Sequence, residues 1–474
     1  MYDDIIWNNL SLSAALTMEI KVPLSATGIS IDSRKSQHGD IFIGISGENC
    51  NGGIFADEAI ERGASFAIVD NDAKSHIKNL DKIIVVEDTL SALNRMAEHK
   101  RSIISAKVVG ITGSVGKTST KEMAKIALQE DKFDVFANAG NFNGNYGMPL
   151  SLASMPDNFD CCILEIGMSE KGEIEKLTKL ARPDVAIITE VGPAHLEFFD
   201  SVEKIADAKA EIFLGMKRDN GVAVLNADNK YYDRLKKHAA ASGLKVISFG
   251  SANFCDLQLI STSIERAFTN IEVMCHGKKL QYKISTIGDH FVMNSLGMLG
   301  AALALGRDIS NVVSNMHKFS PIKGRGEVHL VKGDIIVIDE SYNANPISMR
   351  AAISRLGKHK KSNNRLIAVM GDMRELGAGY IKMHEALLDY IIKCKIDKVF
   401  TIGDSMSSLF RILPGNIRGS HYVSSEIAKE DIRKFLMPGD VIMIKGSFSM
   451  NMASIVSSII GYEMISAPKV SAAV

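Results

Sequence analysis

The chain has 474 residues, 46% of them hydrophobic, and carries 55 basic and 55 acidic side chains. That length predicts about three domains of roughly 150 residues each, with enough apolar material for buried cores. The charge balance gives no electrostatic case for nucleic acid or a membrane surface as partner, and no apolar run approaches the roughly 18 residues of a spanning helix.

Six cysteines, at 50, 161, 162, 255, 275 and 394, are scattered without metal-ligand spacing. With an acidic start, Met1-Tyr-Asp-Asp-Ile5, that lacks a secretory pattern, they predict a reduced, cytoplasmic setting. Residues 1–104 read as a first small α/β domain, with strands at Asp40–Ile45, Ala64–Val69 and Lys82–Val86 and a helix over 89–104.

Residues 105–320 form the predicted central domain, alternating strands and amphipathic helices as a mostly parallel sheet requires. It opens on Val108-Val-Gly-Ile-Thr-Gly-Ser-Val-Gly-Lys-Thr-Ser119. A short strand runs into glycines at 110, 113 and 116, then Lys117, Thr118 and a helix. Polyphosphate needs this arrangement: glycines let backbone N–H groups close on the oxygens, the helix start supplies positive potential and the lysine reaches the outer phosphates. The Thr118 hydroxyl suits Mg²⁺. The spacing departs from G-x-x-x-x-G-K-[ST], because Ile111 stands where the first glycine belongs. The stretch predicts an ATP-type site over Gly113, Ser114, Val115, Gly116, Lys117, Thr118 and Ser119.

Three residues further along fit phosphoryl transfer, each with a plainer alternative. Cys161-Cys-Ile-Leu-Glu165 is a buried-strand pattern ending in a carboxylate, either a Mg²⁺ ligand or an exposed strand end. The strand Asp184–Thr189 leads into Val191-Gly-Pro-Ala-His195, whose histidine is either a ligand or a solvated loop residue. Ser201–Met216 reads as an amphipathic helix with Asp200 and Glu203 as its capping pair. Lys209 falls on its apolar stripe of Val202, Ile205, Ala206, Ile212, Phe213 and Met216. A lysine there either snorkels to solvent or is buried as a neutral amine able to take up carbon dioxide as a carbamate, an oxygen ligand for Mg²⁺.

The turn-rich bridge Phe319–Gly326 marks the next boundary, and residues 321–474 repeat strand, loop and helix in a doubly wound, Rossmann-like layout. Its strands are Asp334–Ile338, Arg365–Val369, Lys398–Ile402 and Val441–Ile444, and the tail after about Met464 is expected to lack order.

Gly110–Thr118, Glu165, Gly192-Pro-Ala-His-Leu-Glu197 and Ala208-Lys-Ala-Glu-Ile212 together resemble the Mur ligases of peptidoglycan assembly, ATP-dependent enzymes that extend the peptide on UDP-N-acetylmuramic acid. Asp32-Ser-Arg34 and Gly39–Gly44 extend the resemblance into the first domain. Asp339-Glu-Ser-Tyr-Asn-Ala-Asn-Pro346, Ser348-Met349 and Gly371–Gly377 resemble the members that join D-Ala-D-Ala to UDP-N-acetylmuramoyl-tripeptide. The Asp-Tyr-Ala-His and Asn-Pro-Arg motifs of members adding the third amino acid are missing, which argues against addition of a single residue, as does the same segment against a folylpolyglutamate-type ligase.

The resemblance implies a site residue by residue. Lys117 and the loop hold the β- and γ-phosphates; Thr118 and Glu165 bind one Mg²⁺, His195 and carbamylated Lys209 a second; Asn294 contacts adenine, Arg325 the phosphates and Asp339 the ribose. Ser33 and Arg34 lie at the uridine end, and Tyr342, Asn343, Asn345 and Lys445 on the dipeptide side. It also implies a cytoplasmic monomer, with no nucleic acid and no membrane insertion. Phe291, Phe448, Ala453 and Asn51-Gly-Gly53 depart from the family pattern.

Overall fold

The computed structural model describes residues 5–461 apart from 48–49, 130–132 and 266. The tail after Met464 and the first four residues lie outside the described residues.

The described residues are α/β throughout, with a two-stranded pairing of Trp7–Asn8 with Ser25–Ala26 and three larger sheets in sequence order. The first is parallel, made of Gly28–Ser30, Asp40–Ile43, Phe66–Asp70 and Ile83–Val86 in that spatial order. Its exit helix, Thr89–Ile103, buries Ala92, Leu93, Met96 and Ala97 and packs against the short central helix Gly147–Ala153. The indole of Trp7 donates to Ala153 O at 2.9 Å, and one apolar cluster runs from Ile6 to Leu244. The first and central regions therefore share a core.

The central sheet has nine strands. Lys107–Thr112 sits between Val185–Ile188 and Cys161–Glu165, all parallel, so the chain leaves it at a topological switch point. Five of its six residues are buried, as expected of a strand covered by helices on both faces. Cys161 and Cys162 are core residues, as their apolar run predicts. The sheet is less parallel than expected. Leu257–Glu265, Phe268–Cys275 and Lys278–Ile284 extend one edge as antiparallel hairpins. Phe268–Cys275 alternates half-buried and buried side chains, and His276 and Gly277 turn the chain with φ of 45° and 76°, the left-handed pair of a tight hairpin.

The third sheet holds Glu327–Val331, Ile335–Glu340, Val441–Lys445, Leu366–Gly371, Lys398–Ile402 and Arg418–Tyr422, parallel except for the first. Its register sets Glu340 opposite Lys445. Glu340 and Lys445, at the carboxyl ends of two adjacent strands of this sheet, line one cavity with Ser114, Val115, Gly116 and Lys117 of the phosphate loop.

One helix differs from expectation. Val202–Ala210 is α-helical, but Glu211–Gly215 tightens into a 3₁₀ turn, and the cap is Ser201, whose hydroxyl accepts from Lys204 N at 3.4 Å, rather than Asp200 with Glu203.

Candidate active site

The loop between Lys107–Thr112 and the helix Lys117–Leu128 is pinned from below by the end of the neighbouring strand. Ser114 N donates to Glu190 O at 2.7 Å, and Thr189 Oγ1 donates to Val115 O at 2.6 Å. The Ser114 hydroxyl is engaged with both Gly192 O and Gly192 N. Ser114, a predicted phosphate contact, thus anchors the loop with its own polar groups. Gly113 and Gly116 hold φ of 154° and 86°. Both are needed as glycines, since a Cβ at Gly113 would stand 2.0 Å from Thr189 Oγ1. Lys117 curls back to Gly113 O at 2.8 Å, and burial, then the positive Arg325, hold its ammonium below the ordinary range.

Thr118 and Glu165 come together as the sequence predicts. Thr118 Oγ1 donates to Glu165 Oε2 at 2.7 Å, Asn143 Nδ2 donates to Oε1 at 2.7 Å, and Asn138 Oδ1 receives the Glu165 amide. Glu165 is a buried carboxylate beside a buried hydroxyl, not an exposed strand end. A carboxylate fixed this way, facing a hydroxyl in a cleft, is a donor set that fits Mg²⁺. The supporting asparagines lie in Asn138-Ala-Gly-Asn-Phe-Asn143, a run the sequence reading passed over.

Lys209 does not snorkel. It is 2% exposed, and burial, then the like charge of Lys117, push its ammonium well below the usual lysine range, which favours the neutral amine. His195, at φ 57°, hydrogen bonds through Nδ1 to Glu375 Oε2 at 2.5 Å, and burial lowers its pKa against the pull of that carboxylate.

Asn294, on the helix Asp289–Ala304, lies against Gly116, with its Nδ2 buried and lacking a hydrogen-bond partner. An orphaned donor on a cavity wall suits a ligand acceptor. Phe291, one of the departures from the family pattern, is 1% exposed and packs against Arg355 and Phe319 in the core while also backing the cavity wall.

The third region closes the cleft from above. Arg325 stacks on Tyr342 at 3.8 Å, and Asn345, which caps the helix Pro346–Gly357, reaches Ser114 O at 3.4 Å. Lys445 donates to Asn343 O at 2.8 Å and pairs with Glu340 at 3.7 Å. Burial alone would raise Glu340, but Lys445, Arg355 and His290 outweigh it and hold the carboxyl below its ordinary range, which makes it a poor base. Phe448 stands exposed on the rim, 6.0 Å from the Tyr342 ring. Together these groups line a cavity of about 630 Å³.

Three predicted residues lie elsewhere. Asp339 is 1% exposed, and its oxygens receive Gly324 N at 2.9 Å and Ser341 N at 3.0 Å, so it shapes the turn that carries Arg325. Ser33 donates to Glu58 at 2.9 Å, and Arg34 pairs with Asp32 through two hydrogen bonds, both within the first region. The residues that sequence reasoning missed are scattered polar positions: Asn143, Glu190 and His290 reach the cavity from three separate elements or the loops after them, and buried Arg355, on a fourth, reaches Glu340.

Comparison with known proteins places the chain in a family. Residues 25–101 match the Mur ligase family catalytic domain, 111–302 the Mur ligase middle domain and 324–448 the Mur ligase glutamate ligase domain. The UDP-N-acetylmuramoyl-tripeptide–D-alanyl-D-alanine ligase of Rickettsia prowazekii is 35% identical, covering 95% of this chain and 99% of that one. The protein of that name in Bacillus subtilis is 33% identical, covering 91% and 93%. MurF ligase from Thermotoga maritima, solved in complex with ADP, superposes with a TM-score of 0.77 at 28% identity, covering 91% and 96%. MurF from Acinetobacter baumannii gives 0.83 at 25% identity, covering 96% and 99%. The switch-point phosphate loop, the buried carboxylate and amine beneath it, and matches running along all three regions make this chain a member of the Mur ligase family.

Proposed function

We propose that the chain is an ATP-dependent, ADP-forming ligase that joins D-Ala-D-Ala to UDP-N-acetylmuramoyl-tripeptide, completing the pentapeptide precursor of peptidoglycan. The observation that carries this reading is the meeting, in one cavity, of the Lys117 loop and Glu165 with Arg325, Asn345 and Lys445 from the third region. Relatives that bear this name along nearly the whole chain support the choice of substrates.

In this reading residues 1–104 bind the UDP end through Ser33 and Arg34, 105–320 bind ATP, and 321–474 receive the dipeptide beside Tyr342, Asn343 and Lys445. Thr118 with Glu165 would hold one Mg²⁺, and His195 with Lys209 a second. Neutral Lys209 adds carbon dioxide to its Nζ and releases a proton, becoming a carbamate. Bound Mg²⁺ supplies positive charge between two anions that must approach each other.

The tripeptide's terminal carboxylate attacks the γ-phosphorus, the bond to the β-phosphate oxygen breaks, and ADP leaves. Lys117 and Arg325 neutralise charge spreading over the transferring group. The dipeptide amine then attacks the acyl-phosphate carbonyl, the C–O bond breaks, and phosphate departs as the amine gives up its proton. Contact between the central and third regions excludes water that would hydrolyse the acyl phosphate. The same reading makes the protein a cytoplasmic monomer without nucleic-acid or membrane partners. Its balanced charge gives no electrostatic case for nucleic acid or a membrane surface as partner, and among the described residues no helix is long and apolar enough to cross a membrane.

The decisive experiment is mass analysis of products from ATP, UDP-muramoyl-tripeptide and D-Ala-D-Ala. UDP-muramoyl-pentapeptide with equal ADP and phosphate is expected. Addition of only one amino acid would indicate a sister ligase, and ADP release that needs no amine would indicate a kinase.

A further inference from the structure

His195 and Glu375 belong to different sheets. His195 follows the central strand Val185–Ile188, and Glu375 follows Leu366–Gly371 of the third sheet, yet Nδ1 and Oε2 lie 2.5 Å apart. Both residues hold positive φ, 57° and 62°. Non-glycine residues persist there only where the surroundings fix them. The seam does so: Glu197 N donates to Glu375 O at 3.3 Å, and Gly377, at φ 65°, leaves a prospective Cβ only 3.1 Å from Leu196 O.

A carboxylate can only accept, so a neutral His195 facing the Glu375 carboxylate donates from Nδ1 and leaves its lone pair on Nε2. A ring held this way is oriented and made more basic as a metal ligand through its other nitrogen. We propose that Glu375 is a positioning residue, delivered by the third region, that fixes the tautomer and orientation of His195 so that Nε2 becomes a metal ligand when the central and third regions meet. This rests on the reading of His195 as a ligand of the second ion. Ion binding and closure of the seam are then linked, and each strengthens the other by the same factor.

The test uses the full chain with a non-hydrolysable ATP analogue and both other substrates, with Mn²⁺ as probe, read by electron paramagnetic resonance. Wild type is expected to bind two ions. Glu375→Ala should weaken the second ion about 10–100-fold, leaving the first ion and the nucleotide affinity unchanged. Glu375→Gln, whose Oε1 still accepts from Nδ1–H, should fall between the two. The Mn²⁺ concentration giving half-maximal compaction by small-angle scattering should rise by the same factor in Glu375→Ala. A carboxylate that merely glued the seam would shift compaction and spare ion affinity in the closed complex. Two ions of unchanged affinity in Glu375→Ala overturn the role of Glu375 alone. One ion in wild type overturns the metal reading of His195, and this inference with it.

Discussion

Gly116 lies so close to Asn294 that a Cβ built on it would stand 2.4 Å from Asn294 Oδ1. The phosphate loop and the helix bearing the orphaned amide are thus one rigid wall. Gly116→Ala adds this clash to a left-handed backbone, a strain of about 1–2 kcal/mol. We expect the Kd for the ATP analogue to rise at least about 10-fold by calorimetry, with Tm lowered by only a few degrees. Unchanged affinity would mean that Asn294 does not contact the nucleotide.

Lys209→Ala is expected to lose about 100-fold or more in turnover, on the scale of removing a group that stabilises transition-state charge, with partial recovery on adding a short carboxylic acid. Since the buried amine must be neutral to take up carbon dioxide and releases a proton on doing so, the carbamate should increase as pH rises from 6 to 8. Nuclear magnetic resonance with ¹³C-bicarbonate reads this directly. Full activity of the alanine variant without rescue would remove the carbamate.

Glu190 sits on the cavity wall, with Asn226 donating to one oxygen at 3.0 Å and Asn229 to the other, and burial pushes its pKa up to about 7. A carboxyl raised in the folded state has its full relative stability below the unfolded value near 4.5 and loses it as pH climbs through about 7. The stability of Glu190→Gln relative to wild type should therefore increase from pH 5 to pH 8, by up to about 3 kcal/mol. Denaturant unfolding at the two pH values checks this; a gap that stays constant or shrinks would contradict it.

Arg355 ties the central and third regions together. Buried, it pairs with Glu340 at 3.2 Å and donates to Gly326 O at 2.8 Å and Thr286 Oγ1 at 3.3 Å. Removing Arg355 leaves Glu340 with Lys445 as its remaining cationic partner and takes a donor from Gly326 O and Thr286 Oγ1, so Arg355→Met should lower stability by about 2–3 kcal/mol, less than for a fully stranded charge. Adding Glu340→Gln should restore part of that loss. A urea midpoint unchanged by the single substitution would show that the pair is dispensable.

Sequence alone determined the local chemistry. Glycine spacing, Lys117-Thr118, a strand ending at Glu165 and a lysine on an apolar stripe are short-range patterns, because backbone freedom and side-chain periodicity are written within a few residues. Tertiary structure decided what each polar group faces. It turned Ser114 and Asp339 toward backbone partners, buried Phe291 beneath Arg355, and brought Glu375 to His195 across 180 residues. Those outcomes depend on register and on contact between regions, where hydrogen bonds are settled by elements far apart in the chain. The antiparallel edge at 257–284 escaped notice for a related reason: its exposed face weakens the apolar signal on which strand recognition relies.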